Sequence, residues 1–291
     1  MRESQALTVP LIDNVLHPSD FSEASQVAFA HALKIALIAH SKLTLLHVSG
    51  GGDSGWEDFP GVRQTLERWG LLAKGSSKSA VPQLGIDVRK VIERYDDPVI
   101  SVLRYLEKHG ADLIVLATHH HAGPAGWLHR STSEPVARKS GQMTLFIPEG
   151  ARGFVSLEDG SVSLNNILIP VAAHPSRQPA IVAATQLAQQ LRCGLGLITL
   201  LHIGADGTMP PVRTPPVPGW EWQRLTKSGD VVERILDTAR ETNADLIVMP
   251  TDSRHGFLDA LRGTHSERVL RHASCPLLAI PETSQAAETM V

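Results

Sequence analysis

Residues 117–134, ATHHHAGPAGWLHRSTSE, place His119, His120 and His121 in a row with His129 close behind. Imidazoles suit zinc, which needs three or four N, S or O donors converging at about 2 Å, usually from separated segments. In extended chain at most two of three consecutive side chains share a face. A second segment, LHPSD, offers His17 and Asp20, so the conceivable ligand set is His17, Asp20, His119 and His121. No cysteine lies near these residues, and the second half of the chain has no analogous cluster. A second chemistry emerges from residues 250–267, PTDSRHGFLDALRGTHSE, which match 117–134 in length and layout. There Gly263 precedes Thr264, and a glycine lets backbone N–H groups approach an anion at a helix N-terminus. Both STSE and THSE fit the capping box S/T-x-x-E, so Ser131 and Thr264 also suit a purely structural role as helix caps. Asp20, just before FSEAS, suits a cap as well.

The two stretches belong to a larger repeat. Residues 111–148 align without a gap on 244–281, pairing Asp112 with Asp245, Thr118 with Thr251 and Pro148 with Pro281. The register extends upstream to Asp97 and Asp230, NVLHPSD resembles NILIPVA, and LTLLHVSG resembles LITLLHIGA. Such extended similarity indicates two homologous domains, expected at 1–150 and 163–283, with 149–165 as connector and a frayed tail after Pro281. Each half alternates short β-rich apolar runs with amphipathic stretches, the pattern of a parallel α/β sheet. In the first half this predicts strands at 14–17, 43–48, 86–92, 112–117 and 143–147, and helices at 22–40, 62–75, 97–109 and 131–140. The second half replaces the helix at 62–75 with GADGTMPPVRTPPVPGWEW, whose prolines predict an extended surface crossing.

Bulk properties narrow the function classes. The chain has 291 residues, 42% hydrophobic and 20% charged, with a net charge of −3 and scattered Lys and Arg. That suits a soluble two-domain protein, and argues against a nucleic-acid surface or an anionic-membrane binder. The N-terminal stretch lacks the apolar run of a signal peptide, and no apolar stretch approaches the roughly 18 residues of a membrane helix. Cys193 and Cys275 show no CxxC spacing, so a reducing cytoplasm is the expected location. Cys275 opens an apolar run, CPLLAI, as an inert core thiol. No G-x-S-x-G elbow or G-x4-G-K-[ST] loop is present, so a dedicated catalyst is not expected.

The chain resembles the universal stress protein superfamily as a tandem two-domain member, through VLHPSDFSEAS, LLHV, and the DLIV strand with its following loop and helix in both halves. The resemblance implies two flavodoxin-like domains, each a five-stranded parallel sheet of order 3-2-1-4-5 flanked by helices, packed as a pseudo-twofold pair. The fifth strands, MTLFI and PLLAI, are the expected interface edges, since pairing them removes an exposed sheet edge. This intramolecular pairing would mimic a homodimer of single-domain members, and it is compatible with a further homodimer.

Some members bind ATP through G-x2-G-x9-G-[ST] after the fourth strand, with an Asp after the first strand and the end of the second strand holding ribose and adenine. Laid on the first half, the glycine positions fall on Ala117, His120 and Arg130, followed by Ser131. Pro18, Ser19 and Asp20 keep the first-strand element, and Val48 takes the adenine position. His119 stands where the family commonly has histidine, so it needs no metal to explain it. In the second half the glycine positions fall on Pro250, Ser253 and Gly263, followed by Thr264. Pro170, Val171 and Ile203 fill the other positions, and Ala172 replaces the Asp. Pro250 has no N–H to donate, whereas Arg130 could fill the phosphate space or charge it. His47 and His202 read as structural.

Three functions therefore stand. The first is a regulatory module binding ATP or another adenine nucleotide in at least one half, with no metal required. Weak ATP hydrolysis is compatible with it, although no residue stands out as a base. The second is an interaction scaffold with eroded sites. The third is a metal-binding protein built on the histidine cluster.

Overall fold

A computed structural model describes residues 12–49, 55–94, 97–118, 133–151, 153–191, 193–251 and 265–281. The first half runs β1 (Asn14–Pro18), α1 (Glu23–Ala39), β2 (Lys42–Ser49), α2 (Val62–Arg68), β3 (Asp87–Arg94), α3 (Pro98–His109), β4 (Leu113–Thr118), α4 (Ser133–Ser140) and β5 (Met143–Pro148). The second runs β6 (Asn166–Pro170), α5 (Gln178–Gln190), β7 (Gly196–Ile203), β8 (Trp220–Lys227), α6 (Val231–Glu241), β9 (Leu246–Thr251), α7 (His265–His272) and β10 (Leu277–Pro281).

These strands form one ten-stranded sheet of order β3-β2-β1-β4-β5-β10-β9-β6-β7-β8. Each half has the expected order 3-2-1-4-5, and all pairs within a half are parallel. The central pair is antiparallel, with Leu277 opposite Phe146, Leu278 opposite Leu145 and Ala279 opposite Thr144. The expected edges thus meet, and each half removes the other's exposed ladder of N–H and C=O groups. The crossover helices cover both faces. On one side α1, α2 and α5 share a core with Val15, Leu145, Ile167 and Leu278. On the other, α3, α4, α6 and α7 pack on Leu16, Phe146, Leu168 and Leu277. Alternating side chains along each strand feed these two layers, which explains why the central strands read as continuous apolar runs.

Several residues paired by the repeat do the same structural work twice. Asp112 Oδ2 accepts the backbone N–H groups of Asp13 and Asn14, and Asp245 Oδ2 those of Asn165 and Asn166. Each carboxylate ties the start of its fourth strand to the start of its first. Asp97 caps α3 by accepting from Val99 and Ile100, and Asp230 caps α6 by accepting from Val232 and Glu233.

One predicted helix is shorter than its periodicity suggested. Instead of spanning 62–75, α2 ends at Arg68. Trp69 turns inward and donates its Nε1–H to Leu157 O at 3.2 Å, and Gly70 takes the left-handed φ of 71° that stops the helix. In the second half the proline-rich crossing contains no helix, as expected. Arg177 donates to Pro211 O, while Gln178 exchanges two hydrogen bonds with the backbone of Arg213. Side chains at the start of α5 thus satisfy part of the backbone that prolines leave without a ladder.

The connector is packed rather than loose. Phe154 and Leu164 are fully buried, and Val155 bridges Val162 across a tight turn. His31 of α1 holds this segment. Its Nδ1 donates to Val27 O, and its Nε2 accepts the N–H groups of Phe154 and Val155 at 3.0 and 3.3 Å. Only the neutral imidazole can do both. Gly160, at φ 67°, lies against the Trp69 ring where a Cβ would collide.

Two predictions follow from this packing. Leu278→Ala removes a buried side chain at the seam and is expected to cost about 2–4 kcal/mol, measured by urea denaturation. Burial lowers the His31 pKa from 6.5 to about 4, so the unfolded chain takes up its proton first as pH falls. The stability contributed by neutral His31 is full above pH 6.5 and is lost as pH falls toward 4, about 3 kcal/mol in all. His31→Gln should therefore flatten the fall of the urea midpoint between pH 6.5 and 4.

Candidate functional site

The site is built where the first and fourth strands part. Pairing between β1 and β4 stops at Leu16 with Ile114, while β1 follows β2 as far as Pro18 with Leu46. The second half parts at the equivalent pair, Leu168 with Ile247. In an open parallel α/β sheet, neighbouring strands whose crossovers leave in opposite directions create the crevice where ligands sit. Sheet order places the ends of β2, β1 and β4 side by side, so Val48, Pro18, Ser19, Asp20 and Ala117 gather at one rim. Pro170, Val171 and Ile203 gather likewise in the second half. The remaining expected site residues, His119, Arg130, Ser131, Ser253, Gly263 and Thr264, lie outside the described residues, as do His120, His121 and His129.

His17 plugs the parting of the first-half strands. It is fully buried, with Nδ1 at 2.9 Å from Val115 O and Nε2 at 3.4 Å from Ser25 Oγ. Burial lowers its pKa to about 4, against weaker raising effects from its hydrogen bonds and from Asp20. Both ring nitrogens thus face protein partners, which takes His17 out of the conceivable metal set. Among the described residues no three His, Cys, Asp or Glu side chains converge as a metal site.

The turn after β1 is organised by short side chains. Ser19 N–H continues the ladder to Leu46 O at 2.8 Å, and its buried hydroxyl lies 3.0 Å from Ser25 Oγ. The cap of α1 is Ser22, which accepts from Ser25 N–H, and not Asp20. Asp20 instead holds that cap, since its Oδ1 accepts both the N–H and the hydroxyl of Ser22 at 3.0 and 2.6 Å. The carboxylate is exposed at the rim and fixed in orientation. In the second half Val171 and Ala172 replace this polar pair.

Aromatic packing that the motifs did not single out stiffens the same turn. Phe21 takes φ 64°, the left-handed region that disfavours a residue bearing a Cβ. Its ring stacks on His47 at 4.1 Å and meets Phe59 edge-on at 5.2 Å. His47 Nδ1 bonds Ser19 O at 2.8 Å, and His202 Nδ1 bonds Val171 O at 2.9 Å, so both histidines are structural as expected. The only sequence signal for the stack was an aromatic directly after Asp20.

At β4, Ser133 Oγ donates to Ala117 O at 2.6 Å and pins the start of α4 to the strand end. Thr118 Oγ1 is buried there and has no hydrogen-bond partner among the described residues. The equivalent Thr251 Oγ1 donates to Ile280 O at 3.1 Å. The halves therefore share their supports and differ in the polar groups at the rim. Cys275, buried just before β10, has its thiol pushed up to about 12 by burial, as an inert core thiol should.

Comparison with known proteins agrees with this architecture. No curated protein matches the chain. Among solved structures, a universal stress protein of Archaeoglobus fulgidus is similar over 93% of this chain and 97% of its own, with 16% identity and a TM-score of 0.60. A Pseudomonas aeruginosa protein described as functionally unknown covers 93% of this chain and 92% of its own, with 15% identity and a TM-score of 0.58. Likenesses at such low identity speak for the fold alone. The model of the universal stress protein family matches residues 12–148 and 218–281, which leaves out β6, α5 and β7. On that match across both halves, the chain belongs to the universal stress protein family.

Proposed function

We propose that this protein is a regulatory module that binds an adenine nucleotide, ATP in the first instance, in the crevice of its first half. The observation that carries the reading is Asp20, an exposed carboxylate oriented by Ser22 beside the parting of β1 and β4. A carboxylate so placed suits the paired hydroxyls of a ribose, which donate where it accepts. Val48 would offer the adenine an apolar edge, and the loop carrying Ala117, His119, Arg130 and Ser131 would face the phosphates.

In the second half the roles are reversed. Gly263 and Thr264 retain the better phosphate loop, but Pro170, Val171, Ala172 and Ile203 offer no carboxylate for a ribose. This favours a second half that serves mainly as the obligate partner of the first, and it motivates the scaffold reading for that half. The reading treats 1–150 and 163–283 as two domains acting as one particle. It sets the protein in the cytoplasm, where the free thiols of Cys193 and Cys275 would stay reduced.

Heat-denaturing the purified protein and chromatographing the supernatant should release adenine nucleotide. ATP added at about 100 times its Kd should stabilise the nucleotide-free protein by about 2.7 kcal/mol. Asp20→Ala removes a hydrogen-bonding charge and should weaken ATP by roughly 10- to 100-fold, whereas Gly263→Ala should change it little. No released nucleotide together with an unchanged Tm in ATP would overturn the proposal in favour of a scaffold. An effect confined to Gly263→Ala would move the site to the second half.

A further inference from the structure

A cavity opens beside the turn after β1, with Ser19, Phe21, Ser22 and Ser25 at one end of its lining. It occupies about 1000 Å³ between α1, α2 and β3. Phe29 and Ala30 of α1, Val62 of α2 and Val88 of β3 give it apolar walls, and the Trp56–Phe59 turn overhangs it. Those two rings stack at 5.9 Å and 22°, with Trp56 59% exposed. A volume of this order accommodates a small organic ligand of two or three rings.

The feature that calls for explanation is Lys90. Along β3, Val88 and Ile92 pack into the core layer beneath α1 and α2, and Lys90 stands between them on the same face. Its ammonium lies 5.4 Å over the Phe59 ring and lines the cavity. Among the described residues Lys90 has no ion pair. Burial and the neighbouring Lys78 both push its pKa down, and no carboxylate offsets them.

The other charged groups at this cavity are differently placed. Arg63 is paired with Glu67 at 3.6 Å, and Asp58 accepts the N–H of Gly55. Arg68, Lys78, Glu57 and Asp87 also line the walls, so cations outnumber acids, with Lys90 set between apolar neighbours. Contact with Phe59 accounts for part of the stability of such a cation, since an aromatic ring face attracts an ammonium placed over it. It leaves unexplained why a lysine and its like-charged neighbour face a large cavity. On the corresponding face of the second half Trp220 and Trp222 pack inward, and Trp222 Nε1 donates to Pro215 O.

We propose that this cavity is a second ligand site, specific for a small aromatic carboxylate, with Lys90 receiving the carboxylate and Phe59 and the apolar walls receiving the ring. The inference does not rest on nucleotide binding: the cavity shares Ser19 with the proposed nucleotide site, but Lys90, Phe59 and the apolar walls belong to no part of that site.

Isothermal titration of the full chain with 2-naphthoate tests it, with uncharged 2-naphthamide as control. One site per chain is expected, with naphthoate bound at least ten-fold more tightly than the amide. Lys90→Met should weaken naphthoate at least ten-fold and leave the amide within two-fold, while Lys90→Arg should retain most of the affinity. Phe59→Leu should weaken both ligands, and thermal melting should show each variant folded. The proposal is overturned if wild-type protein fails to bind naphthoate, or if folded Lys90→Met binds it as wild type does.

Discussion

The antiparallel pairing of β5 with β10 is the interaction on which the rest of the molecule depends. A five-stranded parallel sheet ending at its fifth strand would expose a row of unpaired backbone groups beside an apolar surface. Here Leu145, Phe146, Leu277 and Leu278 line that seam, all essentially buried. Joining the edges makes the two halves one sheet and merges both helical layers into cores that cross the seam. The ion pair between the last helices of the halves, Arg271 with Glu134 at 3.8 Å, is a minor addition, since a solvent-facing pair contributes at most about 1 kcal/mol.

Sharing a seam frees the halves to diverge elsewhere. The supports recur in both, namely the carboxylates of Asp112 and Asp245, the caps Asp97 and Asp230, and the histidines His47 and His202. Each satisfies backbone groups at a strand or helix start that recurs in both halves, so loss of any one removes the protein partner of a backbone donor or acceptor. The rim obeys no such demand. Ser19 and Asp20 face Val171 and Ala172 across the repeat, and an apolar pair there costs the fold nothing. Differences between the halves thus mark where ligand chemistry can vary, and likenesses mark where the fold cannot.

Histidine illustrates how residue type alone misleads. His17 enters the conceivable metal set because it lies near Asp20 at a strand end. In the fold it is a buried neutral base bridging two strands that have ceased to pair. His31 carried no motif at all, yet it anchors the connector to the first half. Both roles rest on a ring that donates at one nitrogen and accepts at the other, which burial enforces by excluding the charged form.

The repeat, the succession of strands and helices and the proline-rich crossing were legible in the residues themselves, through local periodicity, proline's missing N–H and self-similarity, none of which needs a distant contact. Strand order and the pairing of the halves were what the family resemblance implied. The early end of α2 was not legible, because Trp69 leaves the helix for Leu157, 88 positions away in the chain. Nor was the aromatic stack on Phe21, since Phe21, His47 and Phe59 come from three segments with no common spacing. The sequence by itself determined the fold and named Asp20. Only the tertiary structure decided that Ser22 caps α1 while Asp20 stands fixed at the rim, that His17 is core, and that Lys90 faces a cavity. Those outcomes depend on which buried groups find partners across the chain, and that is a property of packing rather than of spacing.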